Sequence, residues 1–288
     1  MLRNAVTNEP VTTERGYAYI GRAPLPPRVV HREGARELSQ SILNPSLGDP
    51  DYLVRRRRRE LLENWIAQLP ERELAVLDIG GRLQPYRPLL GKRAGHYIAL
   101  DPVFEGLLDV AGVGECLPFH DASFDLALCT QMLNYASSPA QVVDEIHRVL
   151  KPGGTVLLTV AAIFPRLHDM RWNFMPDGLQ LLLRNFTEIE LVPEGHSIAG
   201  LCRSINWFFE SFLRSERLRR YAGMLLYPVF NLAGTWLDRF SSGKSKFATN
   251  YACRARKPAA TQPATHKERK KNRRRNTERR TPAAGHCE

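Results

Sequence analysis

Leu74-Ala75-Val76-Leu77-Asp78-Ile79-Gly80-Gly81 is a short apolar run that closes on two glycines. Six residues of this composition have the length of a buried strand, and the glycine pair stops them. Three more such runs follow: Tyr97-Ile98-Ala99-Leu100 ending at Asp101, Phe124 to Cys129, and Thr155 to Val160. Between the last two the spacing predicts a helix. Ser138 is its N-cap, Pro139 opens its first turn and Gln141 completes a capping-box pattern. Val142, Val143, Ile146, Val149 and Leu150 form its apolar face, and Lys151-Pro152-Gly153-Gly154 stops it. Strands alternating with helices pair in parallel through right-handed crossovers, so the fold class is α/β with a layered, Rossmann-like sheet.

Working outward, Arg55 to Arg59 leads into an amphipathic helix whose apolar positions are Leu61, Leu62, Trp65, Ile66 and Leu69. The arginine run reads as the solvated start of that helix, with phosphate contact as the other reading. Residues 1–50, rich in proline and arginine, are expected to form an irregular extension, and 51–255 the folded domain. After residue 161 a helix over 177–184 and a strand over 187–192 are expected. Residues 203–243 then form a helical insert with many aromatics, Phe247 to Arg254 a closing strand, and 256–288 a disordered basic tail.

The formal charge of +11 is unevenly spread. Residues 254–288 hold 12 Lys and Arg against 3 Glu, whereas residues 1–253 hold 29 against 27. The basic excess therefore belongs to the tail, which offers phosphate affinity without base readout. RNA and an anionic membrane surface are its two candidate partners, and a solvated tail without a specific partner is the other reading. Five cysteines without CxxC spacing argue against a disulfide scaffold or a structural zinc site, and no metal is expected. With no apolar run of signal-peptide or membrane-spanning length, the expected location is the cytoplasm, with peripheral contact at the inner membrane as an option.

Ligands of open α/β sheets bind beyond the carboxyl ends of the strands. Glycines at the first strand end let a ligand approach the backbone, and an acid 20 residues after Gly81 can accept hydrogen bonds from ribose hydroxyls. A full G-x-G-x-x-G is absent, which disfavours a nicotinamide cofactor. Val76 to Gly81, Ala99-Leu100-Asp101, Gly114-Glu115-Cys116-Leu117-Pro118-Phe119 with Phe124-Asp125, and Val149 to Gly154 occur in an order that resembles a family. It is that of the class I S-adenosylmethionine-dependent methyltransferases, type 11 group. The resemblance covers about residues 60–195 and the closing strand. It implies a seven-stranded, mostly parallel sheet with helices on both faces, the last strand antiparallel, and a helical insert before that strand.

The resemblance also implies roles. Asp78, Gly80 and Gly81 would line the methionine portion of S-adenosyl-L-methionine, Asp101 would take its ribose, and Val113, Gly114 and Glu115 would lie beside adenine. Thr130 and Gln131 would begin the wall between cofactor and substrate. Three positions depart from the family pattern: Arg82 replaces the second motif glycine, Val113 an acid, and Asn134-Tyr135 an acidic–aromatic or acidic–His pair. Ile163 to Leu179 resembles a stretch of methyltransferases found beside bacterial glycan and lipopolysaccharide assembly enzymes. In it, His168 and Asp169 are catalytic candidates, able to orient or deprotonate a hydroxyl, and Trp172 can stack on a ring. Tyr135 and Arg171 complete the substrate candidates.

The expected activity is methyl transfer, at oxygen, to a small-molecule or glycan acceptor. Two alternatives stand beside it: an RNA methyltransferase anchored by its tail, and a catalytically degenerate binding or scaffold protein. The insert, where arginines precede Tyr221 to Tyr227, reads as a lid, a core or dimer contact, or a membrane-touching element.

Overall fold

The computed structural model describes residues 13–14, 17–19, 32–103, 106–163, 170–241 and 246–259. These elements belong to the compact unit Met1–Pro258. In chain order they are β1 (Thr13–Glu14), β2 (Tyr17–Tyr19), α1 (Arg32–Leu43), α2 (Tyr52–Ala67), β3 (Leu74–Ile79), α3 (Arg87–Leu90) and β4 (Ala94–Asp101). There follow β5 (Val110–Ala111), β6 (Phe124–Thr130), α4 (Pro139–Val149), β7 (Leu150–Ala161), α5 (Pro176–Leu182) and β8 (Thr187–Pro193). The chain then forms α6 (Ser197–Phe212), α7 (Glu216–Tyr221), a π turn at Ala222–Leu226, α8 (Tyr227–Leu237) and β9 (Asn250–Arg256).

The strand order is β1-β2-β5-β4-β3-β6-β7-β9-β8. From β5 to β8 this is the expected seven-stranded sheet, with β9 antiparallel to both neighbours. Chain order reverses between β3 and β6, each parallel to the other, so the crevice for a ligand opens beyond their carboxyl ends. Residues alternate between the two faces. Val76, Leu126, Leu128 and Leu157 pack with Leu61, Leu62, Trp65 and Ile66 of α2. Leu77, Ile79, Cys129 and Leu158 pack with Val142, Val143 and Ile146 of α4 on the other face. Ser138 caps α4 as expected, accepting from the Gln141 amide.

The family motifs prove to be fasteners. Asp125 accepts from the Ala75 amide, Arg72 and Lys151, pinning the starts of β3, β6 and β7 together. Against the burial that would raise it, those hydrogen bonds hold its carboxyl at about 2. Glu145 accepts from the Leu117 amide, and Arg148 donates to the Leu117 and Phe119 carbonyls, so the Leu-Pro-Phe loop is strapped to α4.

Several boundaries differ from expectation. Two further strands, β1 and β2, extend the sheet to nine, and the segment expected to be irregular carries α1. Ala35 and Leu43 of α1 are buried, and burial of such a stripe stabilises a helix that local sequence alone leaves marginal. Lys151 to Gly154, expected only to end a helix, already belongs to β7, because Leu150 turns extended and pairs with Phe124. The closing strand begins at Asn250, not Phe247, since its partner β7 ends at Ala161 opposite Asn250. The insert starts earlier than expected, at Ser197. Finally, the arginine run is only partly solvated. Arg56 and Arg59 pair with Glu60 and Glu63 one helical turn on, but Arg58 is buried. The tail from residue 260 onward lies outside the described residues.

Candidate active site

Beyond the carboxyl ends of β3, β6 and β7 lies a cavity of about 400 Å³. Gly80, Thr130, Gln131, Asn134, Tyr135 and Ala161 line it from the sheet, Asp51, Arg55 and Arg58 from α2 and its approach, and Arg203 and Trp207 from α6. A larger hollow of about 870 Å³ sits between α1, α3 and the approach to β5. Neither β3 nor β6 borders it, so position at the strand-order reversal, not size, singles out the smaller cavity.

The glycine turn is built from its backbone outward. Gly80 has φ +81°, a conformation that favours glycine, and a Cβ there would meet the Met132 side chain at 2.9 Å. Gly80 and Gly81 both donate to the Leu100 carbonyl, tying the end of β3 to β4. The turn therefore presents bare backbone to the cavity while its amides are occupied. Asp78 lies beneath it, buried, with the Tyr97 hydroxyl donating to its carboxylate. A Cβ on Gly81 would strike that carboxylate at 2.5 Å, so Asp78 supports the turn and does not line the cavity. Burial raises its carboxyl to about 7, against the Tyr97 hydrogen bond, with Asp101 and Asp109 adding to the rise.

Asp101 ends β4, buried, and accepts from the Val103 amide at 2.8 Å. Val113 is exposed, two residues beyond Ala111, the β5 partner of Asp101, while Gly114 is buried against Met132, whose Cε would lie 2.4 Å from an added Cβ. Glu115 points elsewhere. It accepts from the Ser137 and Ser138 amides and so fastens the approach to α4.

The turn after β6 holds the acceptor side. Gln131 takes φ +56°, and its side-chain amide sits among Thr159, Asn250 and Arg58. Asn134 is a buried clamp: its amide donates to the Ala161 and Trp172 carbonyls and its oxygen accepts from the Ala161 amide. Tyr135 reaches the cavity. Arg171 and Trp172 do not; Arg171 donates to Ser137 and Trp172 to the Ala136 carbonyl, so both brace this turn from outside. His168 and Asp169 lie outside the described residues, yet Ala161 and Met170, on either side of their segment, line the cavity.

Two ion pairs wall the cavity on the helix side. Arg58 makes a bidentate pair with Glu194, both contacts 2.7 Å, and also donates to the Tyr86 hydroxyl. Glu194 outweighs the burial that would lower it, and Arg58 stays protonated. Asp51 accepts from Arg203 and from the Trp207 indole. Burial would raise its carboxyl, but Arg203 and Arg55 hold it below the usual range. Arg82, also on the cavity wall, accepts from the Leu107 amide through its carbonyl, while its guanidinium makes no hydrogen bond or ion pair among the described residues. These pairs escaped the sequence reading because their partners stand 136 and 152 residues apart. One local signal existed: Arg58 falls three and four residues before Leu61 and Leu62, on the buried stripe itself.

Sequence-predicted residues thus divide into a group at the cavity (Gly80, Thr130, Gln131, Tyr135), a strand-end acid beside it (Asp101), and supports (Asp78, Gly81, Gly114, Glu115, Arg171, Trp172). A glycine turn without side chains, an acid on the next strand end and an adjoining cavity suit an adenosyl cofactor. No cluster of metal-binding side chains occurs among the described residues, and burial pushes the Cys129 and Cys253 thiols up to about 12.

The sequence is similar to known methyltransferases. Residues 77–158 match the family described as a methyltransferase domain. A ubiquinone/menaquinone biosynthesis C-methyltransferase of Ruegeria is 27% identical over 198 residues, spanning 62% of this chain and 74% of its own. A malonyl-[acyl-carrier protein] O-methyltransferase of Pseudescherichia vulneris is 35% identical over 100 residues, 34% of each chain. Among solved structures, an S-adenosylmethionine-dependent methyltransferase of Thermotoga maritima aligns with TM-score 0.42 and 17% identity, covering 72% of this chain and 92% of its own.

Proposed function

We propose that this chain, which belongs to the class I S-adenosylmethionine-dependent methyltransferases, methylates an oxygen of a small acceptor or of one sugar residue of a glycan in the cavity beside Gly80. The charge of that cavity carries the reading. Among the described lining residues the one carboxylate, Asp51, is spent on Arg203, Trp207 and Arg55, and Asp169 is assigned to the acceptor's own proton, which leaves no described acid free to hold a protonated amine. Among the described lining residues the cation left over is Arg82, which repels an ammonium and attracts a hydroxyl-bearing or anionic acceptor. A volume of about 400 Å³ with Tyr86, Tyr135 and Trp207 in its walls suits one ring.

S-adenosylmethionine, when bound, supplies an electrophilic methyl group. The chain's residues do the rest. Asp101 takes ribose hydroxyls, and Gly80 admits the ligand against bare backbone. Trp207, fixed by Asp51, and Tyr135 hold the acceptor ring and exclude water, so that the acceptor oxygen approaches in line. A hydroxyl is a poor nucleophile near neutral pH, and His168 with Asp169 takes its proton.

The test offers the full-length protein S-adenosylmethionine with matched pairs of hydroxyl and amine compounds on sugar and phenol rings, and reads S-adenosylhomocysteine. Hydroxyl acceptors should turn over and their amine counterparts should not. Arg82→Glu should shift the preference toward amines, and His168→Gln should lower kcat about 100-fold or more with cofactor affinity unchanged. Turnover confined to amines in the wild type would refute the oxygen assignment.

A further inference from the structure

α6 and α8 form a helical hairpin with two unlike sides. The inner side is fastened to the domain. Asn231 donates to the Leu47 and Asp49 carbonyls, Asn206 donates to Asn231, and Gly234 lies so close to Leu53 of α2 that a Cβ would come within 2.7 Å. The outer side is apolar and uncovered among the described residues. Leu225, Val229, Trp236 and Phe240 recur at helical spacing along α8 and its two ends, with Phe212 and Tyr221 beside them. All six are between 60% and 74% exposed, far beyond the scattered single apolar residues of ordinary surfaces. Phe209 stacked on Phe230, with centroids 6.5 Å apart, joins the two helices beneath this surface.

The charges around the patch are one-sided. Arg214, Arg217 and Arg220 make no ion pair among the described residues. Of the acids in this insert, Glu210 is taken by Arg219 and Tyr227, and Asp238 by the amides of His196 and Ala199. Among the described residues of the insert, only Glu216 is left to oppose these three arginines. An aromatic, aliphatic surface rimmed by unpaired arginines complements an anionic bilayer surface, where rings enter the headgroup boundary and arginines meet phosphates. A second copy of the chain is a poor occupant, because a two-fold contact would set the arginine rim against itself. No helix among the described residues is long and apolar enough to cross a membrane, which fits docking in the plane of the surface.

We propose that the outer face of the α6–α8 hairpin docks on the surface of an anionic lipid bilayer, inserting Leu225, Trp236 and Phe240 between headgroups. Because Trp207 and Arg203 on the inner side of α6 line the cavity, docking brings the cavity close to that surface.

The experiment uses the full chain and sedimentation with vesicles of phosphatidylcholine alone or with about 30% phosphatidylserine. Binding should be about tenfold or more stronger on the anionic vesicles and should weaken with salt. Leu225→Ser with Trp236→Ser and Phe240→Ser should reduce it about tenfold, with S-adenosylmethionine affinity as the control for folding. Brominated lipid should quench tryptophan fluorescence in the wild type but much less in Trp236→Phe. A full-length variant with the nine Lys and Arg of 267–280 changed to Gln separates the tail. Retained quenching there supports docking by the hairpin. Binding that depends wholly on the tail, no binding to either vesicle, or a dimer that hides the patch in sedimentation velocity would each overturn the proposal.

Discussion

Asp78 illustrates how a side chain quoted for one role can be held for another. The Val-Leu-Asp-Ile-Gly-Gly pattern implies a ligand contact, whereas the carboxyl lies under Gly81 and bonds to Tyr97. Its consequence is for stability. Burial raises this carboxyl to about 7, so the folded chain keeps the proton after the unfolded chain has released it in the ordinary carboxylate range. The resulting stabilisation is full below about pH 4 and is lost as pH rises through about 7. Asp78→Asn mimics the protonated form. Relative to the variant, the ligand-free wild type should lose stability between pH 5 and 8, by a few kcal/mol at the upper end. Denaturant titrations of both proteins at several pH values measure this; parallel pH profiles would contradict it. The places of Gly80 and Asp101 at the ends of β3 and β4 were legible because the short apolar runs before them mark where those strands stop. The supporting role of Glu115 was not, since its partners, Ser137 and Ser138, follow only from the turn after β6.

At the scale of elements, α2, β3, β6, α4 and β7 were readable because their apolar periodicity is local and strong. α1 and the first turns of α6 were less so, because tertiary burial settles where such helices begin. Cross-element pairs carry no local signature at all. Arg58 of α2 meets Glu194, just after β8, across 136 residues. Glu194→Ala leaves a buried guanidinium without its anion and should cost about 3–5 kcal/mol. Replacing both partners by Met should recover most of that loss, since two apolar chains need no pairing. Chemical denaturation of the two variants decides this; a loss below about 1 kcal/mol in Glu194→Ala would show that the pair contributes little.

For the molecule as a whole, separating the charge of the tail from that of the domain changes what +11 means. The domain is nearly neutral, so its local charges matter more than its total: among the described residues, one unpaired arginine at the cavity and three beside the apolar hairpin face. The central claim is that the ends of β3 and β4 form a cofactor site that opens on the cavity assigned to the acceptor. Titrating S-adenosylmethionine into the full-length protein by calorimetry tests it most directly, with Asp101→Ala as the comparison. One molecule should bind per chain, and the variant should bind about tenfold or more weakly while its unfolding stays cooperative. No heat of binding in the wild type, or equal affinity in the two proteins, would contradict that claim.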